Sequence, residues 1–123
     1  MSVDWTIENY QDARGHRPVE EFILGLPEKH QGRIAWTVEL LKEYGLQLGM
    51  PYARHLRGQL WELRVSAGRA RYRIIYSAHT GRRFILLHGF VKKTRRTPRQ
   101  ELVIAERRMA EFLEREGGEV NDV

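Results

Sequence analysis

The stretch from Leu60 to Thr97, LWELRVSAGRARYRIIYSAHTGRRFILLHGFVKKTRRT, constrains the chain more than any other. Within RYRIIY, Tyr72, Ile74 and Tyr76 fall on one face of an extended segment and Arg71 and Arg73 on the other, because successive strand side chains point to opposite sides. Ser66-Ala67-Gly68 and Ala78-His79-Thr80-Gly81 divide the stretch into three strands. Breaks this short make the strands antiparallel hairpin neighbours. The expectation is a three-stranded meander with one apolar face and one face carrying guanidinium groups.

The rest of the chain must cover that apolar face. Val3 to Tyr10 alternates Val3, Trp5 and Ile7 with Asp4, Thr6 and Glu8, as a half-buried strand does. Asn9 to Arg17 is a polar loop. Pro18 opens a short helix with Val19, Phe22, Ile23 and Leu26 at helical spacing. Pro27 opens a second helix to Tyr44, stopped by Gly45. Its apolar residues, Ile34 to Tyr44 with Trp36 among them, cover more than one stripe and predict packing on two sides. Leu46 to Gly58 reads as a connector. Thr97-Pro98-Arg99-Gln100 reads as a capping box opening a last helix to about Glu116, with Leu102, Ala105, Met109, Phe112 and Leu113 as its stripe. Gly117-Gly118 should end it, leaving residues 119–123 as a disordered tail. The order β-α-α-β-β-β-α predicts one α+β domain over residues 1–123. In it, a small antiparallel sheet of the N-terminal strand plus the meander carries its helices on the apolar face.

Charge is segregated along the chain. Residues 54–99 contain thirteen Lys/Arg and one acid, Glu62, a balance of +12 within a net charge of +5. Outside that window the balance is −7. Clustered cations lose mutual repulsion against phosphates, so this pattern favours a polyanion partner over a merely solvated basic face. With no cysteine and no basic-then-apolar leader, the expected location is the cytoplasm. No apolar stretch approaches the roughly 20 residues of a membrane helix, so no membrane partner is expected.

No metal site is expected, because the five histidines show no ligand spacing and acids are scarce in the basic window. A Ser/His/Asp set, a glycine-rich phosphate loop and a carboxylate pair are likewise absent from the pattern. Phosphate chemistry without a cofactor remains. RNA carries its own nucleophile, the 2′-hydroxyl, and needs proton transfer and charge stabilisation from the protein. Arginine supplies the second, and a lysine among cations, such as Lys92 or Lys93 beside Arg95 and Arg96, can supply the first.

The motifs Leu60-Trp61-Glu62-Leu63-Arg64, Tyr72-Arg73-Ile74-Ile75-Tyr76 and Phe90-Val91-Lys92-Lys93-Thr94, with PVEEFILGLP upstream, resemble the RelE/ParE toxin superfamily, and within it the phage-derived HigB-like branch. The resemblance covers about residues 5–113. It implies a RelE-like fold and a type II toxin that cuts mRNA on the ribosome without metal, restrained by a helix-turn-helix antitoxin encoded nearby. It matches Arg73 to a phosphate-binding strand arginine, Arg64 to the basic position of the preceding strand, and Lys93, with Lys92, to a cation after the last strand. Two positions depart from the best-studied RNase of the superfamily: Glu62 replaces a lysine proposed as base, and no tyrosine follows Phe90. Histidines serve some HigB-like members, which brings in His88 and His55, and the acid and base stay unassigned.

Each candidate also has a plainer reading. Arg73 could be solvated or ion-paired, although few acids are near it in sequence; its removal is expected to leave stability nearly unchanged. Glu62, on the same face, could satisfy Arg64. Lys92 and Lys93 could simply touch ribosomal RNA, and His88 and His55 could be satisfied structural groups. Trp61, Tyr72, Tyr76 and Phe90 read as core. Arg54, Arg57, Arg71, Arg95 and Arg96 complete the expected RNA-binding surface. Two other functions stay open: a non-catalytic inhibitor of the gyrase-poisoning type on the same fold, and a non-cleaving prophage RNA-binding protein.

Overall fold

A computed structural model describes residues 4–120, with the side chains of residues 117–120 excepted. Val3 and residues 121–123, assigned above to the first strand and the tail, lie outside the described residues. The elements are β1 (Thr6–Asn9), α1 (Pro18–Leu24), α2 (Glu28–Tyr44), β2 (Ala53–Arg57), β3 (Leu60–Ala67), β4 (Ala70–His79), β5 (Arg83–Val91) and α3 (Arg99–Val120), with a single 3-10 turn at Gly45–Gln47. The α+β class and the three-helix count match the expectation.

The sheet has five strands in the order β1-β5-β4-β3-β2 and is mixed, since β1 runs parallel to β5 while every other pair is antiparallel. The extra strand, β2, lies inside the segment expected to be a connector. As an edge strand it pairs only with β3, and of its five residues only Ala53 is buried. An edge of this kind is kept charged rather than apolar, so it leaves no alternation to read.

The helices do not share one face. Tyr72, Ile74 and Tyr76 join Leu63, Val65, Phe84 and Leu86 in a core covered by α1 and α2. Fully burying each such side chain contributes roughly 1.5–3 kcal/mol. Ile75, Ile85, Leu87 and Phe90, on the opposite face, form a second core with Ala105, Leu102, Met109 and Phe112 of α3. The guanidinium face is therefore apolar over its β5 half, and only the other half is cationic.

Two glycines permit this packing. Gly45 ends α2 at φ 58°, and a Cβ there would come within 2.1 Å of Nε1 of Trp5. Gly89 lies under Phe22 of α1, where a Cβ would stand 2.6 Å from the ring. On α2 only Ile34, Thr37 and Leu41 are buried; Trp36 and Tyr44 are exposed, so its covered stripe is narrower than the sequence suggested. On α3, Leu113 is exposed, and the helix runs through Gly117 and Gly118 instead of ending there. Glycine costs only about 1 kcal/mol in a helix, and Glu116 just before the pair is clamped to Arg83 at 2.9 Å.

Candidate nucleic-acid interface

The β3–β4 register sets the cationic half-face. Glu62 pairs across the ladder with Ile75, Arg64 with Arg73, and Ser66 with Arg71, so these side chains share one face. Glu62 is fully buried there. Its Oε2 accepts from Nη2 of Arg54 at 3.2 Å, and its Oε1 accepts from Oγ1 of Thr97 at 2.7 Å. Nη1 of Arg64 and Nε of Arg73 stand 3.7 and 3.8 Å from the same carboxylate. Three guanidiniums thus converge on one buried acid. Thr97, expected to cap α3, donates its hydroxyl proton to this carboxylate.

Arg73 is not exposed: its relative accessibility is 5%. Its Nη1 donates to the carbonyl of Tyr72 at 3.0 Å, while its Nε is buried with no hydrogen-bond partner. Burial, and then Arg64, lowers its pKa, against the pull of Glu62. The expectation that Arg73 could be removed at little cost is corrected here. The acid that pairs it sits on the neighbouring strand, out of sight of a search along the sequence.

Beside this cluster the β3–β4 turn meets the segment after β5, joined by Lys92 N donating to the carbonyl of Arg71 at 2.8 Å. Between them lies a hollow of about 390 Å³ lined by Arg69, Arg71, Lys92, Lys93, Thr94 and Arg95. None of its five cations is ion-paired among the described residues. Arg69 was not singled out in the sequence, although its place in the β3–β4 turn within the basic window was signal enough. Lys92 is half-buried and Lys93 exposed. The Lys92 ammonium is held below its ordinary pKa by burial; Glu62 pulls it up, and Arg73, Arg54 and Arg64 push it down. Lys92 thus stands inside the field of the arginine cluster.

The remaining candidates lie apart from the hollow. Arg57 is held 2.5 Å from Glu106 of α3. Arg96 is exposed, and its carbonyl accepts from Thr94. His88 lies under α3, its Nε2 2.9 Å from Glu101 and its Nδ1 3.3 Å from Nη1 of Arg108. A guanidinium can only donate, so Nδ1 is the acceptor and the ring proton sits on Nε2, given to Glu101. Burial lowers the His88 pKa against the pull of Glu101, and both nitrogens are occupied. His55 places Nε2 2.8 Å from the carbonyl of Gly58 and packs edge-on against Trp61. Trp61 is half-buried, and Tyr72, Tyr76 and Phe90 are core residues.

A five-stranded mixed sheet flanked by three helices, with a cationic strip on one half-face, is an α+β architecture of the RelE-like type. The chain belongs to the family described as Phage derived protein Gp49-like (DUF891), which it matches over residues 21–110. That family is associated with the RelE-like toxins of toxin–antitoxin systems, and so implies a cognate antitoxin as partner. No curated protein matches the chain. No helix among the described residues is long and apolar enough to cross a membrane.

Proposed function

We propose that this protein is a type II toxin of the HigB-like kind, a metal-independent endoribonuclease that cuts mRNA on the ribosome and is restrained by a helix-turn-helix antitoxin. The observation that carries this reading is the hollow lined by Arg69, Arg71, Lys92, Lys93 and Arg95, which opens beside Arg64, Arg73 and Arg54 with no carboxylate in its lining. A single strand of RNA presents a phosphate every nucleotide, and such a row of cations would bind it by releasing counterions.

In this reading Lys92 is the proton-transfer group. Burial and the neighbouring arginines lower its pKa, the direction that favours taking the 2′-hydroxyl proton. The 2′-oxygen attacks the adjacent phosphorus, the bond to the 5′-oxygen breaks, and the departing oxygen takes up a proton. The products are a 2′,3′-cyclic phosphate and a 5′-hydroxyl. Arg64, the more exposed of the two paired arginines, faces the charge that grows on the phosphoryl oxygens, with Arg73 behind it and Lys93 at the rim. His88, bonded at both nitrogens, has no role in this scheme.

The test is induced expression without antitoxin, followed by mapping of mRNA 5′ ends and measurement of translation. New 5′-hydroxyl ends in ribosome-bound mRNA, lost in Lys92→Ala and Arg64→Ala, are the expected result. Unchanged ends with translation intact would refute it. Growth arrest with inhibited DNA supercoiling and intact mRNA would instead place the protein with the gyrase-poisoning toxins.

A further inference from the structure

A buried carboxylate facing three guanidiniums needs an account of its own. Glu62 has no solvent exposure, yet its side chain makes only two hydrogen bonds among the described residues, to Arg54 and Thr97. Its contacts with Arg64 and Arg73 are beyond hydrogen-bonding reach, so both guanidiniums are attracted to it but not bonded. The Arg73 Nε donor is left without a hydrogen-bond partner among the described residues. The arrangement is a convergent set of N–H donors around an oxyanion, imperfectly filled by the oxyanion the chain itself supplies. It is open on one side, since the Arg54 and Arg64 side chains are 44% and 27% exposed.

We infer that Glu62 is a built-in counter-anion, and that Arg54, Arg64 and Arg73 form an oxyanion site whose affinity for an incoming phosphate is held down by that carboxylate. A phosphate offers more acceptor oxygens than a carboxylate and can meet the three forks that one carboxylate cannot. When it enters between Arg54 and Arg64, it competes with Glu62 for the same donors. The free protein thereby keeps its arginines gathered without presenting them fully to every polyanion it meets. Thr97 sets the strength of the restraint, because its hydroxyl fixes Oε1. That the phosphate belongs to RNA rests on the function proposed above; the oxyanion site does not.

The experiment uses inorganic pyrophosphate as the probe and the arginine Nε–H signals of the full chain as the NMR readout at low ionic strength. In the wild type, the Arg54, Arg64 and Arg73 signals are expected to shift together with one midpoint. If only Arg71 and Arg95 respond, the site does not exist. Glu62→Gln keeps the shape and removes the charge, and should tighten pyrophosphate binding by about fivefold or more, the effect of one near unit charge. Thr97→Val retains the carboxylate but frees Oε1 to turn to the Arg73 Nε, and should move affinity the opposite way, weakening it. It decides the matter if Glu62→Gln fails to fold. Unchanged or weaker affinity in Glu62→Gln, or unchanged or tighter affinity in Thr97→Val, overturns the inference, because a purely structural acid has no reason to restrain an anion. A labelled single-stranded RNA is then titrated under the same conditions. If pyrophosphate shifts the three arginines while RNA binds neither wild type nor variant, the oxyanion site stands and the ribonuclease reading falls.

Discussion

Arg73→Ala separates a buried counter-ion from a surface cation. The Arg73 side chain is 6% exposed, so its loss is not screened by solvent. At about 4 Å and an effective dielectric of ~20, its attraction to Glu62 is roughly 4 kcal/mol before other terms. Against that, the substitution removes the repulsion from Arg64, Arg71 and Arg54 and the cost of the unpartnered Nε. It also removes the bond from Nη1 to the Tyr72 carbonyl, worth about 0.5–1.5 kcal/mol. Because Glu62 keeps Arg54 and Thr97, the full ~3–5 kcal/mol of a broken buried pair is not reached. A net loss of about 2 kcal/mol is expected, or roughly 8 °C in Tm for a chain of this size. Urea unfolding followed by tryptophan fluorescence measures it, with Arg71→Ala as the exposed control expected to stay within about 0.5 kcal/mol. Equal and negligible losses for both variants would refute the buried ion cluster.

Further expectations follow from single features. Gly45→Ala should lower stability by more than about 2 kcal/mol, since its Cβ would overlap Trp5, whereas Gly68→Ala, at nearly the same φ with nothing within 4 Å, should lose only about 1 kcal/mol; thermal unfolding of the two variants compares them. Arg83 depresses the pKa of Glu116 below its ordinary 4.5, so the stabilisation from this pair is present above that value and fades as pH falls through the lower folded one; urea titrations from pH 7 to pH 3 should show a shallower acid loss in Glu116→Gln than in the wild type. Lys92→Arg keeps the charge but raises the pKa out of reach of proton transfer. RNA affinity should therefore be retained while cleavage falls at least tenfold, and undiminished cleavage would exclude Lys92 as the base.

What the sequence disclosed is what a local pattern can carry. The alternation of Tyr72, Ile74 and Tyr76 against Arg71 and Arg73 is a property of adjacent residues, and the hairpins follow from short breaks. The second apolar face was also written there. Phe84, Ile85, Leu86 and Leu87 are apolar without alternation, and all four are buried, as in a strand covered from both sides. Ile75, in the same register as Arg71 and Arg73, gave the same message. The strand β2 gave none, because its edge position leaves only Ala53 to bury. Of the Glu62 cluster only the same-face pair with Arg64 could be read; residues 54, 73 and 97 join it through strand register and the path of the loop before α3.

The same register explains how a segregated sequence becomes a more sharply segregated surface. α3 crosses the sheet carrying six acids, and four of them meet a particular partner: Glu101 meets His88, Glu106 meets Arg57, Glu111 meets the Tyr10 hydroxyl, and Glu116 meets Arg83. These contacts hold the rim of a helix whose apolar stripe packs as buried Ala105 with partly buried Leu102, Met109 and Phe112. They also engage these four acids away from the hollow. Arg57 and Arg83 are neutralised, while Arg69, Arg71, Lys92, Lys93 and Arg95 are not. Removing an α3 acid should therefore loosen the helix without changing the charge of the hollow, and removing Glu62 should change the charge beside the hollow without loosening α3. Folding does more than preserve the basic window of the sequence. By pairing Arg57 and Arg83 with α3, and Arg54, Arg64 and Arg73 with a single buried carboxylate, it leaves the five cations of the hollow, without an ion pair among the described residues, at one end of the sheet, where a phosphate backbone can reach them.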